Sequence, residues 1–352
     1  MKKLALVFLT VILLAACTAK KETKVYKVAL MVGELGDLSF NDSADRGVKK
    51  AAAEFSDVSV NVIEYGTAVD KFESSLLDTA DKGYDLIFVS STLQAYVETH
   101  ASEYPKTKFA IFDTEVDFTK GKLDNVYGIT YKANEASLLG GYLAAKLSKT
   151  GVIAFLGGMD IPVISDFLVG YIQGAQIANP KIKVAITYAG SWGDSAKGKE
   201  LALTMLNNQK ADVIFNVAGG TGIGGIEAAV ETGKWALGVD SDQAMIYDAA
   251  GKTDYAKAIV SSVLKNVDYS LYRAISLLRE GKLPVGKNET LGIVEGGVGL
   301  ADNKYYQANV SKEIRDAITA LGADVTSKKI VVTSAYGKTT AEIAAIRDSV
   351  KP

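Results

Sequence analysis

From residue 25 onward, short apolar runs rich in β-branched residues alternate with longer stretches whose apolar positions recur at helical spacing. The runs VYKVALMV (25–32), VSVNVIEY (58–65), DLIFVS (85–90) and KFAIFD (108–113) have the length of buried strands; 41–55, 72–82 and 93–104 between them have the length of helices. Such alternation predicts a parallel sheet with helices on both faces. After a further run at 126–131 and a small-residue helix at 134–147, the pattern starts again. GVIAFLG (151–157), KVAITYA (183–189), DVIFNVA (212–218) and WALGVD (235–240) read as strands, separated by helices at 161–178, 196–208 and 223–231. Asp160, ahead of Ile161-Pro162, reads as the N-cap of the first of these helices. The expectation is an α/β protein of two doubly wound lobes. Crossovers near 130 and 245 give a first lobe of 25–131 and 245–290 and a second of 132–244 and 291–352.

Length and charge narrow this further. A chain of 352 residues exceeds what one core organises, and 48% hydrophobic with 23% charged residues is ordinary globular composition. Lys+Arg 39 against Asp+Glu 41 leave a net charge of −2, so no nucleic-acid partner is expected. The ligand should be small.

The first residues set the compartment. Met1-Lys2-Lys3 is positive, and 4–16 form an uncharged apolar run of 13 residues, short of the roughly 20 needed to span a bilayer but suited to a signal peptide. Leu14-Ala15-Ala16-Cys17 resembles the bacterial lipobox, which implies removal of 1–16 and lipidation of Cys17. Cys17 is the only cysteine, so no disulfide or Cys-based metal site is expected. Residues 17–24 are polar and aperiodic, as in a tether. Two or more acyl chains give stable anchoring, which places the fold on the extracytoplasmic face of the cell membrane.

In open α/β sheets ligands bind beyond the carboxyl ends of the strands, where helix N-termini and loops converge. Those positions here hold Asp37, Phe40 and Asn41 after the first strand, Asp113 at the end of the fourth, and Trp192, Gly220 and Asp240 in the second half. Aromatics stack on a heterocycle and carboxylates accept from N–H and O–H groups, so a neutral, flat, hydroxylated ligand fits. No arginine falls among them, which argues against phosphate or carboxylate recognition. Phe215, inside IFNVA, joins the candidates, although its alternation also suits plain core.

Residues 220–225 satisfy G-x-G-x-x-G after a strand, with Asp240 twenty residues beyond Gly220, so a dinucleotide enzyme has to be weighed. Its mid-chain position and the export signal weigh against it. His100, the only histidine, falls on a surface helix with no catalytic motif and reads as solvated. Asp37, Asp113 and Asp240 allow glycoside chemistry but serve equally as hydrogen-bond acceptors. The chain is read as a non-enzyme with no cofactor and no metal.

Six segments in order carry a family resemblance: Gly36-Asp37-Leu38-Ser39-Phe40-Asn41-Asp42-Ser43-Ala44, Phe155-Leu156-Gly157-Gly158-Met159-Asp160-Ile161-Pro162-Val163-Ile164, Gly190-Ser191-Trp192, Ala196-Lys197-Gly198-Lys199, Ala218-Gly219-Gly220-Thr221-Gly222 and Gly238-Val239-Asp240-Ser241-Asp242-Gln243. They resemble the basic membrane protein family of substrate-binding lipoproteins, whose best understood type is a purine nucleoside receptor. The match runs from about 25 to 299; the last fifty residues match less distinctly.

The resemblance implies a type I periplasmic-binding-protein fold, capture of a nucleoside (inosine, guanosine or adenosine type) between the lobes, and delivery to an ABC permease and its ATPase. It places Phe40 and Phe215 on the two faces of the base, Asp113 on the base edge, and Gly220, Asp240 and Lys265 on the ribose, with Asn41 and Trp192 nearby. A monomer is expected. One departure is the short loop 33–39, with Leu38 where many members have lysine. An exported receptor or sensor for another small hydroxylated ligand, such as a sugar, is the alternative.

Overall fold

The computed structural model describes residues 24–352; the leader, Cys17 and the tether as far as residue 23 lie outside the described residues. Among the described residues, twelve strands form two sheets. They are β1 (Tyr26–Val32), β2 (Val58–Glu64), β3 (Leu86–Ser90), β4 (Lys108–Phe112), β5 (Val126–Tyr131), β6 (Val152–Gly157), β7 (Lys183–Tyr188), β8 (Val213–Val217), β9 (Trp235–Asp240), β10 (Ile259–Lys265), β11 (Lys287–Leu291) and β12 (Val298–Leu300). The first sheet runs β2-β1-β3-β4-β5-β11 and the second β7-β6-β8-β9-β10-β12. Every neighbouring pair is parallel except β10 and β12. Helices cover both faces, so β3, β5 and β8 are buried along their whole length, and unbroken apolar runs were the right signal for them.

The nine strands expected from the runs are all present, in order. The final third differs. β10 pairs with β9, so the crossover expected near 245 is corrected: residues 243–265 stay in the second lobe. The chain leaves that lobe after Lys265, forms the helix Val267–Arg279 against the first lobe's helix Phe40–Glu54, and adds β11 beside β5. It returns between Leu291 and Val298. β10 escaped notice because IVSSVLK has two serines at its centre. Both are fully buried and satisfied internally: Ser261 Oγ donates to the Ala301 carbonyl, and Ser262 Oγ accepts from the Gln243 amide.

Three chain segments therefore join the lobes, at 131–133, 265–267 and 291–298, and they are tied to one another. Lys132 N donates to Leu291 O (3.0 Å), Asn266 N to Gly297 O (2.8 Å), and Ile293 N to the Glu135 carboxylate (3.0 Å). Gly47 lets the helix Phe40–Glu54 close on the start of Val267–Arg279, since a Cβ there would collide with the Asp268 backbone.

His100 is not freely solvated. It ends the helix Gln94–His100 with Nε2 2.8 Å from Glu73 and Nδ1 2.9 Å from Glu103, and those carboxylates raise its pKa. A folded value above the unfolded one near 6.5 contributes stability that is complete below that pH and is lost as pH rises through the folded value. The thermal midpoint should therefore fall slightly from pH 6 to 8, by less than about 1 kcal/mol of stability, and His100→Gln should abolish that slope. Equal slopes in both proteins would contradict the clamp.

Candidate functional site

In each sheet the strand order reverses once, between β1 and β3 and between β6 and β8, and crevices outside such strand ends are where open α/β sheets bind ligands. The two sets of loops enclose a cavity of about 580 Å³ between the lobes. Its first-lobe wall is the polar loop 33–41, Tyr65 to Thr67, Ser90 to Thr92 and Asp113. The second lobe supplies an apolar wall of Ile161, Val163, Ile164, Phe167, Val217 and Ile223, with Trp192, Gly220, Asp240 and Lys265.

Two aspartates shape the first-lobe loop. Asp37 Oδ1 accepts from the Ser39 and Asp42 amides (2.9 and 3.2 Å) and Oδ2 from the Asn41 amide (2.8 Å), so Asp37 caps the helix Phe40–Glu54. Asp42 accepts in turn from Gly36 N (2.7 Å) and Leu38 N (2.9 Å), which holds Leu38 at a φ of 53°. Burial pushes the Asp37 carboxyl up to about 6, against the three amide bonds that favour its charged form. Asp37 lines the cavity, and its oxygens also hold the loop. Asn41 lines it too, and its side-chain amide donates to Glu34 O (2.9 Å).

At the hinge end stands a buried ion cluster. Asp113 and Asp240 follow or close the fourth strand of each lobe, and both adopt left-handed backbone (φ 71° and 62°), an uncommon conformation for a non-glycine residue that clusters at functional sites. Between them lies the ammonium of Lys265, the last residue of β10, 2.9 Å from Asp113 and 3.4 Å from Asp240. Ser39 Oγ donates to the other Asp240 oxygen across the lobe boundary (2.6 Å). Burial alone would lower the Lys265 pKa, but Asp113 and Asp240 outweigh it and hold the ammonium charged. Apart from that ammonium, the charged groups of the lining are the carboxylates of Glu34, Asp37, Asp113 and Asp240.

Three aromatic rings face that ammonium, of which Tyr131, 5.9 Å away, does not line the cavity. Its Nζ lies 4.6 Å from the centroid of Phe40, from the first lobe, and 5.2 Å from that of Phe167, from the second. Both rings line the cavity. The expectation that Phe215 pairs with Phe40 is corrected. Phe215 is fully buried among Phe155, Phe167 and Tyr171 and does not line the cavity. It sits two residues before the end of β8, and the wall begins only at Val217. Phe167 stands between it and the cleft. The sequence hid Phe167 because it falls within the apolar stripe of the helix Pro162–Ala178, and nothing local distinguishes it from core.

Trp192, 45% exposed, forms the outer edge of the site and lies against Gly158, where any Cβ would strike the indole. Gly220 opens the helix Gly220–Thr232 onto the cavity without a capping side chain. The later glycines of the G-x-G-x-x-G pattern have a packing reason. A Cβ on Gly224 would enter the backbone of the helix Ser195–Leu203, and one on Gly225 would enter Asn216 of β8. Asp160 caps no helix: Ile161 holds that position, with Pro162 at the first helical residue, and Asp160 pairs with Arg347. Among the described residues no group of His, Cys, Asp and Glu could hold a metal ion.

Comparison with known proteins agrees with this architecture. Residues 24–334 match the family model described as ABC transporter substrate-binding protein PnrA-like, of the Bmp family. Basic membrane protein A of Borreliella burgdorferi is 33% identical over 95% of this chain and 96% of its own. The ABC transporter nucleoside-binding protein BmpA of Lactococcus lactis subsp. cremoris is 32% identical over 94% of this chain and 97% of its own. Among solved structures, an ABC transporter solute-binding protein from Aeropyrum pernix superposes with a TM-score of 0.80 at 27% identity, covering 93% of this chain and 99% of that one. The type I periplasmic-binding-protein fold expected from the motifs is the fold found. Such proteins bind solutes and are not enzymes, which removes the dinucleotide-enzyme reading. By fold and by sequence, this chain belongs to the Bmp family of PnrA-like ABC transporter substrate-binding proteins.

Proposed function

We propose that the cavity binds one nucleoside, purine nucleosides foremost, and that the protein presents it to a membrane permease driven by an ATPase. The observation that carries the reading is the meeting, in one interlobe cavity, of two aromatic rings from opposite lobes with two aspartates and a single lysine. Flat rings take a heterocycle, at about 1–3 kcal/mol for each stacked base. Carboxylates accept from ring N–H and sugar hydroxyls, and the ammonium donates to sugar oxygens. The surplus of carboxylates opposes a phosphate, so nucleosides are favoured over nucleotides. Purines offer more stacking area than pyrimidines. The name of the Lactococcus relative supports the same ligand class.

In this reading Phe40, Phe167, Asp113, Asp240, Lys265 and Gly220 contact the ligand, Asn41 and Trp192 border it, and Asp37 shapes the loop. The ligand touches both lobes at once, so it favours the closed arrangement by what it gains there over the open one, and the permease distinguishes loaded from empty receptor. The apolar leader and Leu14-Ala15-Ala16-Cys17 support a lipid anchor that keeps the protein beside its permease.

Calorimetry with inosine, guanosine, adenosine, uridine, ribose and adenosine 5′-monophosphate tests the assignment. Purine nucleosides should bind one to one, uridine more weakly, and ribose and the monophosphate at least about a hundredfold more weakly, the scale of losing about 3 kcal/mol. Binding of ribose without any nucleoside would replace the nucleoside assignment with a sugar.

A further inference from the structure

After the helix Lys312–Thr326 the chain returns across the second lobe as a strap, 331–335, before ending in the helix Thr340–Ser349. The strap joins neither sheet. Instead, three side chains hold its backbone. Asn134 Nδ2 donates to Val332 O and Thr333 O (3.4 and 3.1 Å). Gln173 donates to Val331 O (3.1 Å) and accepts from Thr333 N (2.7 Å). Asp166 accepts from Ser334 Oγ (2.7 Å) and Ala335 N (2.9 Å) on one oxygen, and from Asn134 N (3.1 Å) on the other.

Asp166 is 1% exposed, and each oxygen has a donor. It joins three elements: the strap, the cavity-lining helix Pro162–Ala178, and the helix Ala133–Leu147 that begins at the first hinge segment. The next residue is Phe167, and Ile161, Val163 and Ile164 of the same segment line the cavity. The terminal helix braces the segment from its other end, where Arg347 pairs with Asp160 through both terminal guanidinium nitrogens (2.9 and 2.5 Å) and reaches Ser165 Oγ (3.1 Å). The family match ends at 334, so the terminal helix lies beyond it, whereas Asp166 and the strap up to Ser334 lie within it.

We infer that Asp166 is a positioning residue of the ligand cleft, through which the C-terminal strap holds Phe167 and the 161–164 wall in their binding shape. The inference rests on the nucleoside reading for its affinity readout. Replacing one Asp166 oxygen with an amide sets an N–H group against a donor in a buried place, so the wall must shift to separate them. A shifted wall holds the ligand less long, while the entrance from solvent is unchanged.

The test is stopped-flow inosine binding to the full chain, read by Trp192 fluorescence in a Trp235→Phe background. Asp166→Asn should speed dissociation about tenfold with association within about twofold, since changes within one interface fall mainly on the off-rate. Ser334→Ala, which removes one donor from the exposed side, should speed it about threefold, and the double variant should add little, because both changes act on one node. Wild-type dissociation rates in both single variants, even with a lowered melting temperature, would overturn the inference and leave Asp166 a merely structural residue. If Asp166→Asn does not fold, Ser334→Ala decides on the same criterion. If the parent protein binds no nucleoside, the nucleoside reading fails separately. Amide exchange of 161–168 in the ligand-free protein then decides for the strap: faster exchange in the variants supports it, and unchanged exchange rejects it.

Discussion

Phe167→Ala should weaken purine nucleoside binding roughly 5- to 150-fold, the loss of about 1–3 kcal/mol of stacking, whereas Phe215→Ala should leave affinity within about a factor of a few. Stability separates the two in the other direction. Phe215 has no face on the cavity and packs on three aromatic neighbours, so its truncation leaves a void and should cost about 3–5 kcal/mol of folding free energy. Phe167, 1% exposed, belongs both to the core and to the cavity lining, so its truncation affects both quantities. Phe40→Ala should match Phe167→Ala in affinity, because the two rings stand in equivalent relation to the Lys265 ammonium. Chemical denaturation and calorimetry on the three variants give the pattern. A large affinity loss in Phe215→Ala with none in Phe167→Ala would restore Phe215 as the second stacking ring.

Lys265→Met should cost as much stability as Phe215→Ala. Lys265 is 3% exposed, and its ammonium neutralises two carboxylates that approach it from different lobes. Removing one partner of such a buried cluster costs about 3–5 kcal/mol, because Asp113 and Asp240 are left facing each other without a cation. Nucleoside binding should be lost with it. The sign with pH is specific. Burial, and then the Asp240 carboxylate, push the Asp113 pKa up, opposed in the parent by Lys265; without the lysine the folded value stands further above the unfolded one near 3.9, so the penalty is absent below that pH and grows as pH rises through the folded value. The variant's deficit against the parent should therefore shrink between pH 7 and 5. Adding Asp113→Asn should recover part of it at neutral pH, since asparagine tolerates the left-handed backbone there. A Lys265→Met protein as stable as the parent at every pH would mean that the cluster does not hold the lobes as described.

The pattern of apolar runs already contained the two-lobe α/β architecture. Nine strands were legible because a parallel sheet covered on both faces needs uninterrupted apolar runs, and helices between them need a different period. Asp113 and Asp240 were legible as cavity-lining residues for a related reason: a carboxylate at the end of a buried run stands where the sheet opens to solvent.

Other features depended on contacts between distant segments. Lobe membership of β10 was hidden by Ser261 and Ser262, whose partners, Ala301 and Gln243, lie 40 and 19 residues away. Asp37 lines the cavity, but its second part, holding three backbone amides of the loop, emerged only from the fold. The choice between Phe167 and Phe215 could not be made from periodicity. Both belong to apolar patterns of the right period, and depth alone separates them: one lies in the early turns of a helix that starts at the cleft, the other two residues short of a strand's end. Periodicity reports which face of an element is apolar. How far along that face the cavity begins depends on how the two lobes pack, and that is set by side chains hundreds of positions apart.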